Sequence, residues 1–189
     1  MQTDALDGGF SDPPVQSSYA FRAALNAMAR PGTIEEMVGG HAPEPLSQAA
    51  ATLILTLCDH ETPIYLAGEH DSPEIRQWIA FHTGTPIASR SEAMFALGTW
   101  DALGPIHDFP IGTAEYPDRS ATLIVEVQSL EPSGAKLSGP GVKDVSFLNL
   151  PEVNAFAGNA TLYPLGLDFF FTAGNHVAAI PRSTKVEAP

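Results

Sequence analysis

The first clear pattern of apolar positions in the chain is helical. In residues 11–30, apolar side chains recur at helical spacing between an opening Asp-Pro-Pro and a closing Arg-Pro-Gly. Proline and glycine delimit helices because proline lacks a backbone donor and glycine tolerates unusual backbone angles. The segment is therefore predicted to be an amphipathic helix, with these side chains on its apolar face: Phe21, Ala24, Leu25 and Met28.

Three further helices follow from similar reasoning. Residues 46–57 are rich in alanine and place leucines along one face. At Ser72 a cap residue precedes a proline and an early acid, and Gly84 lies just beyond the apolar pattern, which makes this the clearest helix boundary in the chain. Residues 151–159 are predicted to form a short helix.

Extended segments fill much of the remaining sequence. Residues 120–130 contain an apolar run rich in β-branched side chains, which predicts a central strand covered on both faces. Residues 168–173 and 176–180 flank Gly174 and Asn175, the two-residue signature of a hairpin turn. Shorter strands are predicted at residues 64–67, 86–89, 94–99, 136–137 and 145–150.

The order of these elements predicts the fold class. Helices precede and interleave with strands, while at least one hairpin is antiparallel. We therefore expect an α/β fold with a mixed central sheet covered by helices. No repeat and no long linker divides the 189 residues, so the prediction is a single domain over residues 1–189, with flexible ends at about 1–8 and 187–189.

Charge and cysteine content restrict the classes of function. The formal net charge of -13 opposes binding to a phosphate backbone, so nucleic acids are not expected partners. The single cysteine, Cys58, excludes an internal disulfide framework, and the first residues lack the basic and apolar regions of a signal peptide. The longest apolar run is too short to span a membrane. These features predict a cytoplasmic protein.

The sequence contains no complete set of catalytic or metal-binding residues. Metal motifs are missing, and the six histidines are scattered along the chain. Cys58 and His60 are close in sequence, but a nucleophile and its base need a geometry that closeness in sequence does not supply, so a helix end with a buried thiol is the favoured interpretation. The LSGPGV segment from Leu137 lacks the spacing of a phosphate-binding loop and is interpreted as a turn.

Six charged residues are the candidates for contact with a ligand or a partner. Loop residues just before a buried strand often line a binding cleft, and an internal ion pair that anchors the loop explains the same residues equally well. Arginines at the ends of elements have a second interpretation too, as cations favoured by a helix dipole or by solvent. The candidates are Arg30, Asp59, Glu61, Glu115, Arg119 and Arg182.

Several blocks of sequence, taken together, resemble one protein family. The blocks are GFSDPPVQSSYAFRAALNAMARPGTI from Gly9, LTLCDHETPIYL from Leu55, GTAEYPDRSATLIVEV from Gly112, LSGPGV from Leu137, YPLGLDFFF from Tyr163 and IPRSTKV from Ile180. In this order they resemble the PhnH family of subunits of the bacterial carbon-phosphorus lyase core complex. The resemblance extends from residue 9 to residue 186 and is least distinctive over residues 71–103.

The resemblance implies a fold similar to the large domain of pyridoxal-phosphate-dependent transferases, without that cofactor. No cofactor is therefore expected, and the three lysines that could form a Schiff base lie in turn-like or terminal segments: Lys136, Lys143 and Lys185. It also implies a subunit that works with other core subunits to form ribose 1-phosphonate 5-triphosphate from ATP and a phosphonate, with release of adenine. ATP or phosphonate would then be contacted within the complex. An isolated subunit exposes surface that a partner covers, so a homodimer is expected when the chain is alone.

Two alternatives to a non-catalytic subunit remain at this stage. The chain could be a nucleotide- or phosphonate-binding module that holds oxyanions through Arg30, Arg119 or Arg182. It could also be a freestanding hydrolase, and that hypothesis needs an acid-base set drawn from His60 or His107 with Glu61, Asp108 or Glu115.

Overall fold

The computed structural model describes residues 7–189, which form five α-helices and nine strands, six of them in a central sheet. The predicted flexible segment at residues 1–8 lies mostly outside the described residues, and Glu187 at the other end is the last residue of a strand. The helices are α1 Pro13–Ala29, α2 Gln48–Leu57, α3 Pro73–His82, α4 Trp100–Leu103 and α5 Val153–Ala160. The strands are β1 Glu35–Glu36, β2 Ile64–Leu66, β3 Phe95–Thr99, β4 Thr122–Glu126, β5 Ala135–Ser138, β6 Ser146–Leu148, β7 Asp168–Ala173, β8 His176–Ile180 and β9 Lys185–Glu187.

The central sheet has six strands in the order β1-β8-β7-β4-β3-β2. Strands β2, β3, β4 and β7 are parallel, whereas β8 runs antiparallel to both of its neighbours. The predicted mixed sheet, the predicted central strand and the predicted hairpin are therefore confirmed. Within residues 7–189, no helix is both long enough and apolar enough to cross a membrane.

Both faces of the parallel strands are buried, which explains the uninterrupted apolar run in β4. Ile124 packs on one side of the sheet, in a cluster with side chains of α1, α2 and α3 such as Leu53 and Trp78. Leu123 and Val125 point to the opposite side, where the cluster includes side chains of α4, α5 and a second sheet. Alternate residues of β4 thus pack in two different hydrophobic clusters, because successive side chains of a strand point to opposite faces of the sheet.

A second, three-stranded antiparallel sheet has the order β6-β5-β9. The strands predicted at residues 136–137 and 145–150 belong to this sheet and not to the central one, and β9 had no counterpart among the predicted strands. The extended segment predicted at residues 86–89 forms only an isolated bridge, between Ile87 and Ile64. Pairing over such sequence distances leaves no local signal, which is why periodicity alone missed the second sheet.

Helix α1 is present where it was predicted, but the prediction of its buried face was partly wrong. The buried residues are alanines, namely Ala20, Ala23, Ala24 and Ala27, which pack toward α2 and β8. Phe21 and Leu25 are 54% and 56% exposed. Small side chains allow the helix to lie close to its neighbours, and the larger apolar side chains are consequently left on the outer surface.

Asn159, at the end of α5, fixes this helix to the start of β7. Its side-chain Nδ2 donates to the carbonyl oxygen of Leu167 at 2.9 Å, and the backbone amide of Leu167 donates to Asn159 Oδ1 at 2.8 Å. Both residues are buried, so water cannot replace either bond. The pair therefore satisfies two buried backbone groups that no strand partner reaches.

Substitution of Asn159 should accordingly be costly. We expect Asn159→Ala to lower the free energy of unfolding by about 2–3 kcal/mol, because it leaves a buried donor and a buried acceptor unsatisfied. Asn154→Ala, at an exposed position on the same helix, should change it by less than about 0.5 kcal/mol. Urea denaturation of both variants measures the difference, and equal effects would contradict the assigned role of Asn159.

Candidate functional site

A cleft of about 600 Å³ opens at the carboxyl ends of β3 and β4. We call it the carboxyl-end cleft. In sheets with parallel strands, ligands bind preferentially outside the carboxyl ends of the strands, where the loops leave a crevice. The polar residues that line it are Thr99, Asp101, Glu126, Gln128, Ser129 and Asn149.

Glu126, the last residue of β4, is one of the residues that line this cleft. One carboxylate oxygen accepts a hydrogen bond from the backbone amide of Ser47 at 2.8 Å, and the other accepts from the hydroxyl of Thr172 at 2.9 Å. Ser47 is the N-cap of α2 and Thr172 belongs to β7. The carboxylate thus connects three elements. Burial raises the pKa of Glu126, and the hydrogen bonds from Ser47 and Thr172 counteract only part of this effect.

His70 lies next to this carboxylate and is almost completely buried. It ends a single 3-10 turn, Gly68–His70, and its Nε2 lies 3.9 Å from Glu126 Oε1. Neither ring nitrogen has a hydrogen-bond partner among the described residues. Burial lowers the pKa of His70, and the nearby Glu69 carboxylate acts in the opposite direction. The carboxyl end of the central sheet therefore holds a buried acid, and next to it a buried imidazole, that favour their uncharged forms.

The wall of the cleft is held in place by hydrogen bonds within the chain. The indole nitrogen of Trp100 donates to Glu152 at 3.1 Å. Asn149 accepts a bond from the amide of Glu131 at 2.7 Å and donates to the carbonyl of Ser129 at 3.0 Å. Of the described residues that line the cleft, none is basic. The arrangement therefore favours ligand groups that donate hydrogen bonds or carry positive charge, and it disfavours phosphate and phosphonate.

Sequence reasoning singled out none of the residues at this site. The sequence feature that could have predicted this site is Glu126, an acid at the end of an apolar strand. Parallel sheets bind ligands at this end of their strands. His70 gave no such signal, because it is brought next to Glu126 only by the pairing of β2, β3 and β4.

Five of the six candidates from the sequence lie toward the other end of the sheet. Asp59 and Glu61 precede β2, Glu115 and Arg119 precede β4, and Arg182 follows β8 and contacts the first residue of β7. These positions correspond to the amino ends of the parallel strands. The structure therefore places these five candidates at the amino end of the sheet, away from the carboxyl-end cleft.

Arg182 is engaged in bonds within the chain. Its guanidinium contacts both carboxylate oxygens of Asp168, and it also donates to the carbonyl of Pro117 and to the hydroxyl of Ser120. Its backbone amide adds a bond to Asp168 at 2.8 Å. The two charged side chains are largely buried. Arg182 thus connects the loop before β4, the start of β7 and the segment after β8.

The remaining candidates are exposed. Asp59 accepts a hydrogen bond from the amide of Glu61 at 2.8 Å and shapes the turn before β2. The guanidinium of Arg119 lies 4.1 Å from the centre of the Tyr116 ring. Arg30 ends α1 through a backbone bond to Asn26. The geometry shows what each residue contacts within the chain, and their roles in binding stay predictions.

The other residues that the sequence offered as catalytic or metal-binding groups do not form a site. Cys58 is buried, and burial raises the pKa of its thiol to about 12, as expected for a core residue and not for a nucleophile. His107 lies 3.6 Å from Asp108 in an exposed pair. Among residues 7–189, no three metal-binding side chains come together.

Two arginines allow a test of whether the buried Arg182 stabilises the fold. We expect Arg182→Ala to lower the free energy of unfolding by about 2–3 kcal/mol, because it removes the guanidinium from the largely buried Asp168 and from two further acceptors. Arg119→Ala, which removes one exposed contact with an aromatic ring, should cost no more than about 1 kcal/mol. Chemical denaturation measures both. A stable Arg182→Ala variant would refute the structural role.

Glu126 should make stability depend on pH. Because its folded pKa is raised, its stabilising contribution is complete below the unfolded value of about 4.5 and is lost as pH rises through the folded pKa. The free energy of unfolding of the wild type should therefore fall relative to Glu126→Gln between pH 5 and pH 8. Urea denaturation across this range provides the measurement. Glu115→Gln, at an exposed carboxylate, is the control and should leave the shape of the profile unchanged.

Comparison with known proteins places the chain in a family. The model of the family described as bacterial phosphonate metabolism protein (PhnH) matches residues 8–187. A protein of Rhizobium meliloti (strain 1021), alpha-D-ribose 1-methylphosphonate 5-triphosphate synthase subunit PhnH, is 38% identical over 98% of each chain. The putative C-P lyase subunit protein HtxG of Stutzerimonas stutzeri is 26% identical over 88% of this chain and 84% of that protein. The family predicted from the sequence blocks is confirmed: this chain belongs to the PhnH family of bacterial phosphonate metabolism proteins.

Proposed function

We propose that this chain is the PhnH subunit of a carbon-phosphorus lyase core complex, in which it supports the formation of ribose 1-phosphonate 5-triphosphate from ATP and a phosphonate, with release of adenine. The observation that carries the proposal is the 38% identity, over 98% of both chains, to a subunit of alpha-D-ribose 1-methylphosphonate 5-triphosphate synthase. A match of this extent covers the two sheets and every helix, so it concerns the whole fold and not a single motif.

The chemistry of the site supports a contributing subunit and not an independent enzyme. The residues that line the carboxyl-end cleft include the acids Asp101 and Glu126, and no basic residue accompanies them in its described lining. A triphosphate or a phosphonate would be repelled there, and the net charge of -13 adds to the repulsion. The cations that hold these anions are therefore supplied by other subunits.

The surface of α1 supports partnership with other chains. Val15, Tyr19, Phe21 and Leu25 are all about half exposed or more. Exposed apolar side chains grouped on one helix are typical of surface that another chain covers. In the complex, this surface would meet other core subunits, and in the isolated protein it would support a homodimer.

Two further parts of the proposal concern fold and location. The mixed sheet, with one antiparallel strand next to a parallel set, is compatible with a core like the large domain of pyridoxal-phosphate-dependent transferases. The lysines that could bind that cofactor are all exposed, on or near the second sheet, and we propose that none is used: Lys136, Lys143 and Lys185. We place the protein in the cytoplasm, where ATP is available.

A nucleotide- or phosphonate-binding role for surface arginines stays an alternative prediction. The bonds of Arg182 within the chain reduce its availability, so the alternative now depends on Arg30 and Arg119, whose side chains are exposed. Calorimetric titration of the isolated chain with ATP and methylphosphonate tests it, because binding through these residues should be lost in the double alanine variant.

The leading proposal predicts a stable assembly. Co-expression of this chain with the other core subunits of its organism should give a stoichiometric complex on size-exclusion chromatography. Cells without this chain should fail to grow on methylphosphonate as the only phosphorus source, and the wild-type chain should restore growth. The isolated chain, incubated with ATP and methylphosphonate, should release no adenine. Adenine release at an enzyme-like rate by the pure chain would overturn the proposal, as would normal growth without the chain.

A further inference from the structure

His70 is a buried titratable side chain whose position the packing of the core does not explain. Its side chain is 4% exposed, and neither ring nitrogen has a hydrogen-bond partner among the described residues. Buried polar atoms without a partner are costly and uncommon in folded proteins. The acid beside the ring is Glu126, whose side chain is 10% exposed and whose Oε1 lies 3.9 Å from Nε2.

The backbone of the 3-10 turn holds the imidazole at this position. The amide of Ala67, just before the turn, donates to the carbonyl of Leu97 in β3 at 2.9 Å. Gly68 has a φ of +59°, and a Cβ at this residue would lie 2.9 Å from the Cβ of Ala102. The turn therefore packs closely against α4, and the ring of His70 has to find its partner inside the protein.

Glu126 can take part in one more hydrogen bond through the oxygen that faces the ring. Oε1 accepts a single bond, from the amide of Ser47 at 2.8 Å, and a carboxyl oxygen has capacity for two. The distance of 3.9 Å from Oε1 to Nε2 exceeds an ordinary hydrogen bond by about 1 Å. Closing this distance gives Nε2 a partner without requiring the loss of the bonds to Ser47 and Thr172.

We propose that His70 and Glu126 form a tautomer switch that is set by one proton. When Glu126 is protonated, its O–H group donates to Nε2, and the neutral ring carries its own proton on Nδ1. When the pair loses a proton, the O–H bond breaks, Nε2 takes up that proton and donates to the carboxylate, and Nδ1 releases its proton to solvent. The imidazole is neutral in both states, and the bond between the two side chains is kept.

Few other charged or titratable groups surround the pair. Glu69 in the same turn and Asp101 on α4 are both exposed. Tyr65 belongs to β2, and neither β3 nor α2 contains a titratable side chain. Glu69 favours a protonated ring, whereas the N-terminus of α2, through its dipole, favours a carboxylate. The switch therefore depends mainly on the two buried groups themselves.

Burial determines which states the pair adopts. It is the largest cause that lowers the pKa of His70 and the largest cause that raises the pKa of Glu126. The neutral acid with the neutral imidazole is thus the form at lower pH, and the switch occurs as the pH rises through the raised pKa of Glu126. Because Glu126 connects α2, β4 and β7, one proton determines whether the junction of these three elements carries a charge.

Nuclear magnetic resonance tests the switch on the whole chain, labelled with 15N in histidine and with 13C in the carboxyl group of glutamate. The nitrogen shifts distinguish the two neutral tautomers from the imidazolium. Between about pH 6 and pH 9, the ring of His70 should change from the Nδ1–H form to the Nε2–H form without becoming charged. The carboxyl carbon of Glu126 should titrate with the same midpoint. This measurement requires no substitution, so a misfolded variant cannot affect it.

Glu126→Gln should lock the switch in one state. The amide oxygen of glutamine can accept from both Ser47 and Nε2 but cannot donate as the acid does, so His70 should keep the Nε2–H form over the whole range. Glu69→Gln, at the exposed neighbour, is the matched control and should retain the tautomer change. A ring that keeps one tautomer in the wild type, or that becomes an imidazolium above pH 6, would overturn the inference. A tautomer change that persists in Glu126→Gln would overturn it as well.

Discussion

The parallel strands of the central sheet must be covered on both faces, and most of the structure follows from this requirement. A strand with two buried faces cannot carry charge along its length, so polar groups are confined to its ends. In β4 the charged residue is Glu126 at the carboxyl end, and in β7 it is Asp168 at the amino end. One end of the sheet holds an acid with neutral donors, and the other holds an acid paired with an arginine.

The two ends of the sheet therefore differ in how their buried acids are stabilised. At the amino end, Arg182 satisfies Asp168 and two neighbouring acceptors, so the charges are balanced within the chain. At the carboxyl end, the donors to Glu126 are neutral, and both ring nitrogens of the buried His70 lack a hydrogen-bond partner among the described residues. Breaking a buried pair of charges is costly because one charge is left uncompensated, whereas a buried acid with neutral donors is stabilised by staying uncharged.

The sequence predicted the parts of the fold whose causes are local. The boundaries of α3 follow from Ser72 and the proline after it, and the hairpin follows from Gly174 and Asn175, because caps and tight turns depend on neighbouring residues. The buried face of α1 was partly mispredicted because periodicity favours the larger apolar residues, while packing selected the alanines. The second sheet and the His70–Glu126 pair depend on contacts between distant segments, and these leave no mark in any short window of sequence.

The late position of β8 in the chain has a consequence for biosynthesis. This strand lies between β7 and β1, and α1 packs against it as well as against α2, so α1 and β1 are translated well before one of their main packing partners. Contacts that close over most of the chain form slowly. The part of α1 that packs on β8 therefore stays accessible, together with the apolar outer face of the helix, until β8 has been translated. Apolar surface that is exposed on a partly synthesised chain promotes aggregation, which chaperones counter.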